Sequence, residues 1–132
     1  MRAEKAVREN RMFSMASEIG EFIGNRAYRA LLAEVYTTPK PGLVDLFSTG
    51  AHKDMDVHTF EKSAYALYPW FVRMAAQGAI SNGSLQDLFR DVRRLGVQAE
   101  RAMYRATGGV NTHKGLIFTL GIYCAAAGRC AR

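Results

Sequence analysis

Residues 84–106, SLQDLFRDVRRLGVQAERAMYRA, carry the clearest repeating pattern in the chain and predict an amphipathic α-helix. Their apolar side chains recur three or four residues apart, which places them on one face of a helix. These apolar positions are Leu85, Leu88, Phe89, Val92, Leu95, Ala99, Met103 and Ala106. Ser84 and Asp87 can form a capping box at its start, and Gly108-Gly109 can end it in a left-handed conformation.

Three further segments are predicted to be helical, and none alternates as a strand would. Met12 to Tyr36 predicts one kinked helix or two, and the polar residues 1–11 before it are expected to be frayed. Asp56 can cap the next helix, which Pro69 should kink. The last helix is predicted from about Thr112 to Ala127. The whole chain therefore predicts a single all-α domain, a bundle of about four to six helices.

The last predicted helix has apolar residues on nearly every side, which is typical of a buried helix. Three amphipathic helices cannot comfortably enclose a fourth in a chain of 132 residues. We therefore expect the chain to be the N-terminal portion of a larger helical enzyme, or to form a homodimer through this helix.

Charge and composition limit the classes of partner. A net charge of +6 would suit nucleic acid, but the arginines are dispersed over predicted polar helix faces. We therefore expect no nucleic-acid partner and, instead, attraction of a polyanionic small molecule. No apolar run suits a membrane span, and the charged N-terminus lacks the apolar core of a signal peptide. The only cysteines, Cys124 and Cys130, fit a reducing compartment, so we expect a cytoplasmic protein.

A long loop, TPKPGLVDLFSTGAHKDMD, spans residues 38–56 and has neither helical nor strand periodicity. A loop of this length is usually functional or disordered. Its apolar residues argue against disorder, because disordered segments lack such anchors. Pro39 and Pro41 stiffen Lys40 between them, so this lysine is predicted to be positioned in advance for an anion.

The same loop holds the densest group of catalytic-type side chains, and His58 follows it directly. The group consists of Asp45, His52, Asp54 and Asp56. Its histidines and aspartates do not have a standard zinc spacing. An oxygen-rich Mg²⁺ site on Asp45, Asp54 or Asp56, bound through a substrate phosphate, fits these residue types better.

A second motif, GGVNTHKG at residues 108–115, joins the last two predicted helices. Gly108 and Gly109 let the backbone approach a ligand closely. Asn111 or Thr112 can cap the last helix, which would leave the N–H groups of His113, Lys114 and Gly115 free. A helix N-terminus beside Lys114 is a candidate phosphate site, and an ordinary glycine C-cap followed by a threonine N-cap is the alternative.

Together these motifs resemble the triphosphoribosyl-dephospho-CoA synthase family, which makes the prosthetic-group precursor of citrate lyase and malonate decarboxylase. The matching pieces are Glu34, TTPKPGLVD (37–45), GAHKDMD (50–56), Thr59-Phe60, Ser63, Gly96, Glu100, Met103, ATGGVNTHKG (106–115), Ile117-Phe118 and Leu120-Gly121. The resemblance implies an all-helical enzyme that uses ATP and 3′-dephospho-CoA. It implies attack of the dephospho-CoA 2′-hydroxyl on the ribose C1 of ATP, with adenine as the leaving group. Family members are considerably longer than this chain.

That chemistry suggests roles for the residues of both motifs. Lys40, Lys114 and a Mg²⁺ ion on Asp45 or Asp54 would hold the triphosphate. Asp54 or Asp56 would stabilise the oxocarbenium-like transition state, and His52 would accept the hydroxyl proton. His113 would assist adenine departure as an acid. Asn111 and Thr112 would orient ribose or phosphate, beside Gly108 and Gly109.

Two hypotheses from other classes stay open at this point. One is a metal-dependent phosphohydrolase built on His52, Asp54, Asp56 and His113. The other is a non-catalytic helical module that self-associates through its last helix.

Overall fold

The computed structural model describes all residues from 1 to 132 and contains four α-helices and no strand. Helix α1 spans Arg2–Tyr36, α2 spans Val57–Ile80, α3 spans Leu85–Ala106 and α4 spans Lys114–Ala131. The prediction of an all-α bundle is therefore confirmed. None of these helices has both the length and the apolar character needed to cross a membrane.

Helix α2 is the centre of the bundle and packs against each of the other three helices. Its side chains Leu67, Phe71 and Met74 are completely buried. The apolar composition of α4 is typical of a buried helix, but the sequence predicts that the other three helices cannot enclose it within this chain. Accordingly, α4 leaves several large apolar side chains exposed, and these are Leu116, Phe118, Ile122 and Tyr123.

Small residues set the distance between α2 and α4. A Cβ atom added at Gly78 would lie 1.9 Å from the carbonyl oxygen of Ala125, and one at Gly128 would lie 2.0 Å from that of Ala75. Real Cβ atoms do not approach backbone this closely, so only glycine fits at either position. The two helices therefore pack nearly backbone to backbone, in a register that these glycines fix.

Helix α1 differs from its prediction at its start, and for its middle the structure shows one helix, which is one of the two predicted alternatives. Residues 2–11 are helical rather than frayed, and a single helix continues to Tyr36. Gly20 and Gly24 do not divide it, because both face Val72 of α2 at distances too short for a Cβ atom. These two glycines permit close helix packing.

The helix ends that position the two loops follow the sequence signals closely. Asp56 caps α2, and Ser84 with Asp87 forms the predicted capping box of α3. Helix α2 continues through Pro69 to Ile80. Helix α4 begins one or two residues later than predicted, with His113 at its N-cap position. The first turns of α2 and of α4 are thus the elements that hold the candidate site.

Candidate functional site

The long loop 38–56 is organised around the buried carboxylate of Asp45. Its Oδ1 accepts hydrogen bonds from the backbone N–H groups of Phe47 (2.9 Å) and Ser48 (2.8 Å). Its Oδ2 accepts from the Thr38 hydroxyl (2.9 Å) and the Lys40 backbone N–H (3.1 Å). These hydrogen bonds, with that of Phe47 foremost, lower the pKa of Asp45, so the group stays ionised at neutral pH.

This saturation argues against the predicted metal role of Asp45. Four protein donors already occupy both oxygens of Asp45, so this carboxylate does not fit the predicted Mg²⁺ ligand. Asp56 is engaged at one oxygen, because its Oδ1 accepts from the backbone N–H of Thr59 (2.9 Å) and from the Thr59 hydroxyl (3.0 Å). Asp56 therefore caps the start of α2 through Oδ1, and its side chain stays exposed.

Lys40 is positioned as predicted, but an acidic partner holds it. Its Nζ donates to the carboxylate Oε1 and to the backbone oxygen of Glu34, each at 2.7 Å. The Lys40 side chain is only 14% exposed, whereas that of Glu34 is 57% exposed. An anion that binds Lys40 must therefore share the ammonium group with Glu34 or displace it.

Three hydrogen-bonded side chains join α2 to the start of α4. The Thr112 hydroxyl donates to Ser63 Oγ at 2.6 Å, and Ser63 Oγ lies 2.7 Å from Nδ1 of His113. Because Ser63 accepts from Thr112, its own hydrogen is free to point at Nδ1, and we assign the ring proton of His113 to Nε2 on this basis. This Nε2 is buried and has no hydrogen-bond partner.

His113 is a neutral, enclosed histidine. It is 6% exposed, and the ring of Phe60 stands edge-on to it with the centroids 5.0 Å apart. Burial lowers the pKa of His113 to about 4, against a smaller opposing effect of the Glu34 carboxylate. This low pKa argues against the predicted role as a general acid, because a neutral ring carries no extra proton to give at neutral pH.

The GGVNTHKG motif forms a tight connection in which most of the predicted anion donors are occupied. Gly108 and Gly109 adopt φ angles of +64° and +92°, as the predicted helix end requires. The Lys114 N–H donates to Asn111 Oδ1 (3.2 Å), and the His113 N–H donates to the sulfur of Met103 (3.3 Å). The helix start is thus less available to an anion than predicted.

Lys114 pairs with a residue of α3 and not with the Lys40 loop. Its Nζ forms an ion pair with Glu100 of α3 at 3.3 Å, and both groups are partly exposed. Both residues line a small cavity of about 150 Å³ between α3 and α4. No residue of loop 38–56 lines this cavity. Lys40 therefore does not line the cavity that Lys114 lines, although both lysines are predicted to grip one triphosphate.

The charge of Glu34 nevertheless acts on both motifs, because it holds Lys40 and also affects the pKa of His113.

His52 is half-buried and Asp54 is exposed, and neither side chain makes a hydrogen bond, so both can reach a ligand. No group of three or more His, Cys, Asp or Glu side chains is placed to hold a metal ion.

Sequence reasoning from spacing missed the roles of Glu34 and Ser63. Glu34 is one of the residues that match the family, but its spacing alone does not show that the chain turns at Pro39-Lys40-Pro41 and brings Lys40 back to it. Ser63 lies fifty residues from His113, so no local pattern could have joined them.

The fold and the site define an all-α protein whose ligand-type side chains come from two loops that meet the start of its central helix. The chain belongs to the ATP:dephospho-CoA triphosphoribosyl transferase family, whose pattern matches residues 20–132. Both loops, Glu34 and Ser63 lie within the matched region. The family resemblance seen in the sequence is therefore confirmed.

Three curated relatives illustrate the similarity. A probable 2-(5′′-triphosphoribosyl)-3′-dephosphocoenzyme-A synthase of Photobacterium profundum is 49% identical over 109 residues, which are 82% of this chain and 35% of the relative. One from Albidiferax ferrireducens is 50% identical over 88% of this chain and 39% of its own length. The synthase of Haemophilus ducreyi is 50% identical over 83% of this chain and 34% of its own length. The chain thus spans a little over a third of these relatives. No solved structure matches it significantly.

Proposed function

We propose that this chain carries part of the site for ribosyl transfer from ATP to 3′-dephospho-CoA. The observation that carries the proposal is the family match over residues 20–132, which includes both polar loops. The product would be 2′-(5′′-triphosphoribosyl)-3′-dephospho-CoA, the prosthetic-group precursor of citrate lyase or malonate decarboxylase. The free thiols of Cys124 and Cys130 suit a reducing compartment, and we place the reaction in the cytoplasm.

In this reaction the 2′-hydroxyl oxygen of dephospho-CoA bonds to the ribose C1 of ATP, and the bond from C1 to adenine breaks. Adenine leaves with the electron pair of the broken bond and takes up a proton from water, while the 2′-hydroxyl proton passes to a base, for which His52 is the available side chain. Asp54 is the free carboxylate of the loop, and its charge would stabilise the oxocarbenium-like transition state. The triphosphate stays on the transferred ribose, so the site must hold it without cleaving it.

The groups around His113 serve binding rather than proton donation. In the tautomer assigned above, Nε2–H of His113 can donate a hydrogen bond to an adenine nitrogen while keeping its proton. Ser63 and Thr112 would fix the ring for this contact. Lys40 would meet the triphosphate from its pair with Glu34. The Lys114 pair with Glu100 is partly exposed, so a phosphate can replace the carboxylate at little cost.

The predicted Mg²⁺ ion is not assigned to these residues. Asp45 is saturated, and no group of three or more His, Cys, Asp or Glu side chains is placed to hold a metal ion. We therefore route no step of the reaction through a protein-bound metal. Magnesium enters the test below only as the counter-ion of ATP.

The test uses this chain and a chimera of the Haemophilus ducreyi synthase, in which the 111 aligned residues are exchanged for those of this chain. Each protein is incubated with Mg·ATP and 3′-dephospho-CoA, and adenine is followed by chromatography and the product by mass. We expect adenine only when both substrates are present. His52→Ala and Asp54→Asn should abolish its release from the chimera, and the exposed His58→Ala should not.

The phosphohydrolase hypothesis predicts a different product. Released phosphate without adenine would refute ribosyl transfer, and so would a folded chimera that binds ATP but forms no product with dephospho-CoA. The metal cluster which that hypothesis needs is not assembled, because His113 is buried on its Ser63 contact and Asp56 caps α2.

A further inference from the structure

A large apolar groove lies between α3 and α4, and no residue of loop 38–56 or of the GGVNTHKG motif lines it. Its volume is about 680 Å³. Leu85 and Phe89 line it and remain 68% and 45% exposed, and Ile122 lines the opposite wall at 37%. Such a contiguous apolar surface is typical of an interaction site.

Arginines surround this apolar floor. Arg90 and Arg93 line the groove from α3, and Arg129 lines it from α4. Arg129 is only half satisfied, because its Nη2 donates to the backbone oxygen of Gly83 (3.1 Å) whereas its Nη1 is buried without an acceptor. A buried guanidinium nitrogen without an acceptor is costly, and a carboxylate is its preferred partner.

We propose that this groove binds an amphipathic helix with acidic residues beside its apolar face, from the part of the synthase that relatives carry outside the matched region. The chain covers 35% of the Photobacterium profundum relative, so about two thirds of that relative lies outside the match. A partner of this kind would bury Leu85, Phe89 and Ile122, and its acidic residues would face Arg90 and Arg93.

A second copy of this chain fits the groove less well. In a symmetric dimer the same patch meets itself, and the arginine rims of both copies would be brought together. Like charges across an interface oppose association. Nucleic acid does not suit a floor built from aliphatic and aromatic side chains between the arginines.

The test is co-expression of this chain with the unmatched part of the Photobacterium profundum relative, followed by co-purification and titration without ATP. We expect a one-to-one complex whose affinity falls with salt. Leu85→Ser should weaken the affinity about tenfold or more, and Arg93→Glu should do the same because it reverses a charge beside the apolar floor. Matched controls that should retain wild-type affinity are Phe13→Ser, which is 60% exposed on α1, and Arg101→Glu, on α3 outside the groove.

A cysteine that lines the groove provides a second readout. Cys130 is exposed there, whereas Cys124 is buried and burial raises its pKa to about 11. A maleimide should therefore label Cys130 in the free chain, and the rate of labelling should fall about tenfold in the complex.

Three outcomes would overturn the proposal. The first is the absence of any complex on co-expression, with Cys130 labelled as fast as in the free chain. The second is Cys130 protection that rises with the concentration of this chain alone, since that would show a second copy in the groove. The third is a complex that both controls weaken as much as Leu85→Ser does. None of these readouts uses ribosyl transfer, so they stand apart from the fate of that proposal.

Discussion

Acidification from pH 7.5 to 5 should destabilise this fold through His113, and the size of the effect follows from its burial. An unfolded histidine titrates near 6.5, whereas the buried ring titrates at about 4. The unfolded state therefore binds the proton first. The stability that the neutral ring provides is complete above pH 6.5 and is lost as the pH falls towards 4.

These two pKa values predict that the free energy of unfolding falls by about 2 kcal/mol between pH 7.5 and pH 5. The full loss, reached once the ring is protonated in both the folded and the unfolded state, is about 3 kcal/mol. The interval from pH 7.5 to 5 is chosen because it lies above the range in which aspartates and glutamates ordinarily take up protons. Asp45 and Asp56, with lowered pKa values, contribute stability that is lost only at still lower pH.

The assay is urea unfolding followed by circular dichroism at several pH values, on the wild type and on His113→Asn. The variant should be less stable at pH 7.5 and should lose most of the pH dependence in this interval. His58→Asn is the matched control, because 74% of the His58 side chain is exposed. If the free energy of unfolding changes equally with pH in the wild type and in His113→Asn, the reasoning is refuted, whatever the absolute stability of the two proteins.

Two further predictions concern the loop and the α2–α4 contact. Asp45→Asn replaces a carboxylate that accepts four hydrogen bonds by an amide with one acceptor atom. Proteases should therefore cut loop 38–56 faster in limited proteolysis, while the helical circular dichroism is retained. An unchanged cutting pattern would contradict this. Gly78→Ala pushes a methyl group against the backbone of Ala125 and should lower the free energy of unfolding by about 3 kcal/mol. Gly96→Ala, where nothing lies within 4 Å, should raise it by up to about 1 kcal/mol, and the same sign for both variants would refute the packing argument.

The sequence predicted the helices well where local signals control them. Ser84 with Asp87, and Asp56 at the start of α2, act on backbone groups three residues away, and the structure contains both caps. The sequence did not predict which helix lies at the centre of the bundle. Apolar residues surround α4 more completely than α2, but Gly78 and Gly128 bring the two helices together on one side only, which leaves Phe118 exposed.

The residue types of the site were predicted better than their roles. Asp45 has the charge of a metal ligand, but the backbone N–H groups that saturate it carry no signature in the sequence. His113 has the chemistry of an acid, but its low pKa comes from burial beside Phe60 and Met103, which other helices contribute. The family resemblance marked these positions as candidates, and only their three-dimensional surroundings decide what each can do.

The two motifs are held by helices rather than by each other, and this makes a last prediction. Asp45 orders loop 38–56 from within, whereas Ser63 of α2 holds His113, and no hydrogen bond joins the two groups. Sites without shared partners have additive effects on stability. The double variant Asp45→Asn/Ser63→Ala should therefore lose the sum of the two single losses in urea unfolding. A loss that differs from this sum by more than the experimental error would mean that the loops are coupled, through Glu34, which holds Lys40 and acts on His113.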